Sequence, residues 1–427
     1  MESYYFDNLS IILDKTGSVE FGKVSYPIRY GRFSEIKTPD HIFQYNLNGE
    51  IKYLQGRGKG WPHPAEWLKR TVANDWVYYS AGEYGRTYDC FGEYYLPCLS
   101  YPSNSVMGGN PFNDHAVRSA LEAWEGIRIE LKGLRARSLP QGLEDFLGLA
   151  IEHDAKRLEL RSQALHRLIG GRVTVLPPDA RHVDYEIIPL IIADGCLYNC
   201  AFCRVKTGDD FAPRDKKSVM EQIEQIKVFY GHDLRNYNAV FLGQHDALNA
   251  GQDLIEFAAT KTYEILGFDR SHMAGAYLFL FGSADSLLNA RDGLFMMLHG
   301  LPFRTYINIG LESADRETLT ALGKPIDSEM VGEAFGRMLE INRQYERIEV
   351  TANFILGSNL PQGHLPNSLD LIRNGLGRFY SKGAIYFSPL LNGASLNGEN
   401  RRTMVRRFGA LKCHSLLPAY LYLIQRL

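Results

Sequence analysis

The chain has 427 residues, with 47 basic against 49 acidic side chains and a formal net charge of −2. That length supports two or three domains with large cores, and the near-neutral balance excludes a protein that holds nucleic acid by overall charge. No apolar run is long enough to cross a bilayer, the start Met1-Glu-Ser-Tyr-Tyr-Phe6 lacks the form of a signal peptide, and six cysteines in a chain this long are not a disulfide scaffold.

In chain order, residues 1–148 are rich in aromatics and glycine and read as an α+β domain for substrate recognition, with a lid or a docking unit as the alternatives. Val24–Tyr30 and Ile42–Ile51 suggest strands, with a hairpin turn at Asn48-Gly49. Gly82–Pro97 is loop-like and aromatic. From about Pro140 to Ile169 the pattern is helical; residues 149–183 read as a helical linker, and Pro177-Pro178 marks its boundary with the next domain.

From Asp184 to Leu391, strand-like and helix-like segments alternate, which argues for parallel βαβ units. The expected strands are Glu186–Ala193, Ala239–Leu242, Ala276–Phe281, Thr305–Leu311, Glu349–Leu356 and Ala384–Leu390. Helices are expected from Ser218 (a capping-box pattern with Glu221) to Gly231, over Leu254–Leu266, Leu287–His299 and Glu329–Arg343, and over Ser368–Leu376. The fold class is therefore α/β: a partial parallel (β/α)6 barrel, with an N-terminal α+β domain and a C-terminal helical extension over residues 392–427. In that extension Arg401, Arg402, Arg406 and Arg407 precede the apolar run Leu416–Ile424. This reads as a helix that closes the barrel, with a helix resting on a membrane surface as the alternative.

Directly after the first barrel strand stand Cys196, Cys200 and Cys203, spaced C-x3-C-x2-C. Three thiolates on one loop can hold three irons of a [4Fe–4S] cluster and leave the fourth iron without a protein ligand, whereas proteins usually fill all four positions. Zinc asks for four ligands, usually as paired Cys-x2-Cys or with histidines, and neither stands here. The pattern, with the aromatic Phe202 before the last cysteine, resembles the radical S-adenosylmethionine (SAM) superfamily. The resemblance implies that the open iron binds the amino and carboxylate groups of SAM, and that reductive C–S cleavage gives a 5′-deoxyadenosyl radical that takes hydrogen from substrate. It also implies an electron donor such as flavodoxin or ferredoxin, a reducing cytoplasmic setting and sensitivity to oxygen.

In parallel barrels the active site lies at the carboxyl ends of the strands. After the second strand, Gly243-Gln-His-Asp246 stands where the superfamily has a glycine-rich segment facing the SAM amino group. The resemblance makes Gly243, Gln244 and Asp246 cofactor contacts; Asp246 is equally read as the cap of the next helix. Gly310-Leu-Glu-Ser313, followed by Leu322 and Lys324-Pro325, resembles the elongator, methylthiotransferase and coproporphyrinogen-oxidase subgroup, which places Glu312 and Ser313 beside SAM. Asn353-x-Ile355-x-Gly357 stands at the adenine-binding position of the superfamily, although Ile355 also fits plain core packing.

The substrate side of the rim offers His245, Asp285 and Asn308 as catalytic candidates, with Ser283 near them. Cys90, Cys98 and Cys413 are irregularly spaced; they read as free cysteines, with a second cluster as the alternative. Position 205 is valine, where the coproporphyrinogen-oxidase type carries a further cysteine, and no cobalamin-binding unit precedes the barrel. The expected function is radical chemistry on a small-molecule or natural-product substrate. The alternatives are a tRNA-modifying enzyme, which lacks support from charge or a recognisable RNA-binding module, and a non-catalytic iron–sulfur sensor.

Overall fold

The structure, a computed structural model, describes all residues except 22–28, 63, 65, 80–94, 98–105, 107–109, 204–207, 358 and 391–397. Eight strands near the N-terminus pair in sequence order as one antiparallel sheet: β1 (Glu2–Tyr5), β2 (Ser10–Thr16), β3 (Arg32–Lys37), β4 (His41–Tyr45), β5 (Ile51–Gly56), β6 (Trp67–Arg70), β7 (Trp76–Tyr79) and β8 (Tyr95–Pro97). The β4–β5 turn is the one that Asn48-Gly49 specifies. Gly49 takes φ +77°, and the Asn46 side chain accepts from the Asn48 and Glu50 N–H groups at 3.0 and 2.9 Å.

Three helices follow: α1 (His115–Arg135), α2 (Gln141–Glu152) and α3 (Ala155–Ile169). The sequence reading missed α1, although Val117, Ala120, Trp124, Ile127, Leu131 and Leu134 form one helical stripe buried against the sheet. Leu143, Phe146 and Leu147 of α2 join the same core, so position 148 lies inside a helix that packs on this sheet. Most of Val24–Tyr30 and of Gly82–Pro97, together with Cys90 and Cys98, lies outside the described residues.

The second sheet is parallel and has seven strands, in the order β9 (Ile188–Ile191), β12 (Ala239–Gly243), β13 (Tyr277–Gly282), β14 (Arg304–Glu312), β15 (Ile348–Leu356), β16 (Ile385–Pro389) and β17 (Ala419–Leu421). A small antiparallel pair, β10 (Ala193–Asp194) with β11 (Ala212–Pro213), brackets the cysteine loop. The crossovers carry α4 (Lys216–Tyr230), α5 (Gln252–Leu266), α6 (Ala284–Asn289), α7 (Asp292–Gly300), α8 (Arg316–Leu322), α9 (Ser328–Gln344), α10 (His364–Leu369) and α11 (Gly398–His414).

Sequential strand order winds the sheet in one direction, as in a barrel, and side chains alternate between its faces. Val240, Leu242, Leu278, Leu280, Ile307, Ile309, Val350 and Ala352 share the core formed with the helices. Phe241, Phe279 and Tyr306 face the other way and pack with Ala180 and Val183 of the short helix Pro178–Val183. The proline-marked boundary is thus a plug on the inner face of the sheet.

Several expectations are corrected by this fold. The sheet has a seventh strand, because Leu416–Ile424 supplies β17 rather than a helix. Leu417, Leu421 and Leu423 are buried within the protein, so the apolar run is covered by the chain itself and is not free to rest on a membrane. The basic residues belong to α11, and no helix among the described residues is long and apolar enough to span a membrane. The helix expected over Leu287–His299 is two, α6 and α7, since the chain is extended at Ala290. Helix α4 starts earlier than Ser218 because Asp215 is its cap, accepting from the Ser218 N–H at 2.7 Å. The expected Ser368–Leu376 helix is α10, followed by a wider turn over Asp370–Asn374.

Candidate cluster and cofactor site

The cysteine loop is held in shape by its own backbone. Gly195 takes φ +72°, and a Cβ there would fall 2.1 Å from the Asp210 carbonyl oxygen. The Cys196 N–H donates to Asp209 O at 3.2 Å, and the Asn199 amide donates to the carbonyls of Cys196 and Asp209 at 3.3 and 3.1 Å. The end of α8 clamps the far side of the loop. The Phe202 N–H donates to Leu322 O at 3.3 Å, and Gly323, at φ +61°, leaves only 2.8 Å between its missing Cβ and that of Ala201. Burial pushes the Cys200 thiol up in pKa, and the Lys324 ammonium opposes this.

Cys196, Cys200, Cys203 and Phe202 line one cavity of about 170 Å³ together with His245, Asp246, Glu312 and Asn353. All come from the carboxyl ends of the parallel strands or the loops after them. Glu312 ends β14 in a left-handed conformation, φ +68°, beside a bulge between Gly310 and Glu312. Its carboxylate lies 3.4 Å from Lys324 Nζ, and both side chains are largely buried.

Asp246 stands at the N-cap position of the short helical turn Ala247–Ala250, but its side chain makes no cap hydrogen bond there, and Gly251 stands at the cap of α5. One carboxylate oxygen of Asp246 accepts from the Ser283 N–H at 2.9 Å, and the other, Oδ2, is buried without a partner. Burial raises its pKa, and the neighbouring Ser286 and Ser283 oppose that rise. His245 Nε2 is also buried and unpaired, and burial pushes the imidazole pKa down, which favours the neutral ring.

Ser283 also lines the cavity, and the remaining sequence candidates do not. Gly243 ends β12, where a Cβ would meet Ile191 Cδ1 at 2.7 Å, and the Gln244 amide reaches Arg172 O at 3.5 Å. Asp285 accepts from the Tyr198 hydroxyl, and its N–H donates back to Tyr198 Oη at 3.1 Å. Asn308 is fully buried beneath the cavity and bonded to Thr351 and Asn353. Ser313 is fully buried, with its hydroxyl on His364. Ile355 is buried, and its carbonyl accepts from His364. Gly357 offers its carbonyl to Arg407 at 2.6 Å.

Sequence reasoning missed Tyr198, Leu197, Phe281, Gly282 and Val175 in the lining. Tyr198 and Leu197 lie inside the cysteine spacing, and Phe281-Gly282 ends a predicted strand, so the strand-end rule reaches them. Val175 gives no signal, because it arrives from the linker by tertiary packing.

The fit of the implied groups rests on the donors. Among the described residues, no three His, Cys, Asp or Glu side chains converge on one ion position. A cuboidal cluster takes each thiolate on a different iron, and three cysteines of one loop facing one cavity suit it. The unpaired Asp246 oxygen and His245 nitrogen offer polar groups that a bound small molecule would satisfy.

No protein-family model matches the chain, and no curated protein matches it by sequence. Among solved structures, the chain is similar to the cobalamin-dependent S-adenosylmethionine radical enzyme OxsB with aqua-cobalamin and S-adenosylmethionine bound (17% identity, TM-score 0.35, 57% of this chain and 34% of that one). It is also similar to a radical SAM methyltransferase from Sphaerobacter thermophilus (13% identity, TM-score 0.40, 55% and 65%). A third similar structure is coproporphyrinogen III oxidase (HemN) from Escherichia coli, a radical SAM enzyme (11% identity, TM-score 0.35, 59% and 55%). The matched part spans from 34% to 65% of the length of these three proteins.

Proposed function

We propose that this chain is a radical SAM enzyme that holds a [4Fe–4S] cluster through Cys196, Cys200 and Cys203 and acts on a small molecule. The observation that carries the reading is the meeting of all three cysteines with His245, Asp246, Glu312 and Asn353 around one cavity at the carboxyl ends of parallel strands. When bound, the cluster supplies the electron that breaks a C–S bond of SAM, and a reduced flavodoxin or ferredoxin is the donor this reading requires.

The chain's own residues bind, orient and exclude water. Glu312 and Asp246 offer carboxylate oxygens for the SAM ammonium and ribose hydroxyls, and Lys324 keeps the Glu312 charge balanced in a buried setting. Val175, Leu197 and Phe281 give the cavity apolar walls that keep water from a reactive carbon centre. His245, held neutral by burial, presents Nε2 for a hydrogen bond to SAM or substrate.

The test is anaerobic reconstitution with iron and sulfide, reduction, and mass spectrometry of SAM products, comparing wild type with Cys200→Ala. Cluster-dependent 5′-deoxyadenosine supports the reading. Methylthioadenosine instead would redirect it to transfer of the aminocarboxypropyl group, and a wild-type protein that takes up no cluster would refute it.

A further inference from the structure

Beneath the cavity lies a carboxyl group that neither lines it nor contacts the cysteine loop. Asp179 stands in the short helix that plugs the inner face of the parallel sheet, and it is 0% exposed. Its Oδ1 accepts from the Tyr386 hydroxyl at 2.7 Å and its Oδ2 from the Thr351 hydroxyl at 2.6 Å. A ladder of polar side chains continues upward on the inner faces of β14 and β15. Asn308 Nδ2 donates to Thr351 Oγ1 at 2.8 Å and approaches Asn353 Oδ1 at 3.3 Å, while Asn353 Nδ2 donates to Asn308 Oδ1 at 2.5 Å. Asn353 reaches the cavity wall.

An amide looks the same either way round, so its direction must come from a partner with only one possible role. Asp179 is that partner when ionised, above the value of about 7 to which burial raises its pKa, because a carboxylate only accepts. Tyr386 Oη already receives Arg181 Nε at 3.0 Å, so its single proton goes to Asp179. Thr351 gives its single proton to the other oxygen, which leaves its own oxygen as an acceptor. Asn308 must then turn its NH2 toward Thr351; reversed, it would set two acceptors face to face. Asn353 is fixed in turn, with its NH2 on Asn308 Oδ1.

We propose that Asp179 is a positioning residue that acts through Thr351 and Asn308 to fix the direction in which Asn353 presents its amide to the cavity. One Asn353 N–H and one lone pair of its oxygen remain for the ligand. Replacing the carboxylate by an amide removes the constraint: the side chain of the Asp179→Asn variant can donate to Thr351, which lets the Thr351 proton turn to Asn308 and reverses the ladder. The inference rests on the reading of the cavity as a SAM site.

The test is a double-mutant cycle on the full chain, reconstituted anaerobically, with SAM as the probe. Iron per chain and the SAM dissociation constant are measured at about pH 8.5, where Asp179 is ionised, for wild type, Asp179→Asn, Asn353→Ala and the double variant. Each single change is expected to weaken SAM binding by roughly 3- to 10-fold, the span of one hydrogen bond. Iron content stays that of wild type, and the double variant binds as Asn353→Ala does, within about twofold. Additive losses, or unchanged affinity in either single variant, would overturn the proposal.

If Asp179→Asn does not fold, Thr351→Val and Thr351→Ser replace it in the cycle. Ser keeps the hydroxyl and the affinity, while Val reproduces the loss; equal behaviour of the two overturns the proposal. A wild type that carries its cluster but binds no SAM removes the functional reading and this proposal together. Additive losses in a wild type that does bind remove the proposal alone.

Discussion

The Ser313 hydroxyl lies 2.8 Å from Nδ1 of His364. On the other side of the ring, His364 Nε2 lies 3.1 Å from the carbonyl oxygen of Ile355. A carbonyl only accepts, so Nε2 carries the proton and Nδ1 receives the Ser313 hydroxyl. A neutral imidazole thus ties the end of β14, next to Glu312, to β15.

His364→Phe is expected to lower stability by about 1–3 kcal/mol for each buried group left unpaired, measured as a shift in the denaturant midpoint. The effect is also pH-dependent. Burial holds the His364 pKa below the ordinary histidine value, with Asp315 raising and Arg407 lowering it. The folded state therefore resists the proton that the unfolded state accepts. The advantage of wild type over His364→Phe is full above roughly pH 6.5 and shrinks as pH falls below it.

Gly323 should not tolerate a side chain. Its left-handed φ of +61° and the 2.8 Å approach to Ala201 both oppose Gly323→Ala. The strain alone costs about 1–2 kcal/mol, and it falls on the turn that holds the cysteine loop through Phe202. Reduced iron uptake on reconstitution and a lower melting temperature are expected. Gly332→Ala, at an exposed position of α9 where a Cβ meets nothing within 4 Å, is the control and should be neutral or slightly stabilising.

Glu186 joins the two sheets. It lies 2.6 Å from Lys52 of β5 and 2.5 Å from Lys69 of β6, all three largely buried. Burial would raise the Glu186 pKa, but Lys52 and Lys69 outweigh that and hold it at about 2. Glu186→Gln leaves two buried ammonium groups without their counter-charge, a loss of about 3–5 kcal/mol by urea unfolding. Since the pKa is lowered, the wild-type contribution is present above the ordinary glutamate value near 4.5 and fades as pH falls toward about 2.

Asp179 has the opposite sign. Burial raises its pKa to about 7, opposed by the Thr351 and Tyr386 hydroxyls and by Arg181, with Glu349 adding to the rise. Between the ordinary aspartate value of 3.8 and about 7 the folded state keeps a proton that the unfolded state releases, so wild-type stability falls as pH rises through that window. Asp179→Asn carries no such dependence. Relative to wild type, the variant should gain on the order of a few kcal/mol in unfolding free energy between about pH 4 and pH 8.

Much of the parallel sheet and the cysteine loop could be read from local pattern. Strand alternation, glycine stops such as Gly267 and the spacing of Cys196, Cys200 and Cys203 are set by neighbours in sequence, and the structure keeps them. Helix α1 is equally periodic, but its aromatic surroundings draw a sequence reading toward strands and loops.

The sequence by itself determined the type and order of the strands and the loop that carries the thiols, because periodicity and spacing act over a few residues. Only the tertiary structure decided that Leu416–Ile424 pairs as β17, since an apolar run fits a helix or a buried strand until a sheet edge is there to take it. Only the tertiary structure turned a proline-rich boundary into a plug, and so brought Val175 to the cavity and Asp179 under Asn353. It also sent Ser313 to His364 rather than to the cavity. These contacts join residues far apart in the chain, and no local rule fixes which distant hydroxyl or ring will satisfy a buried polar group.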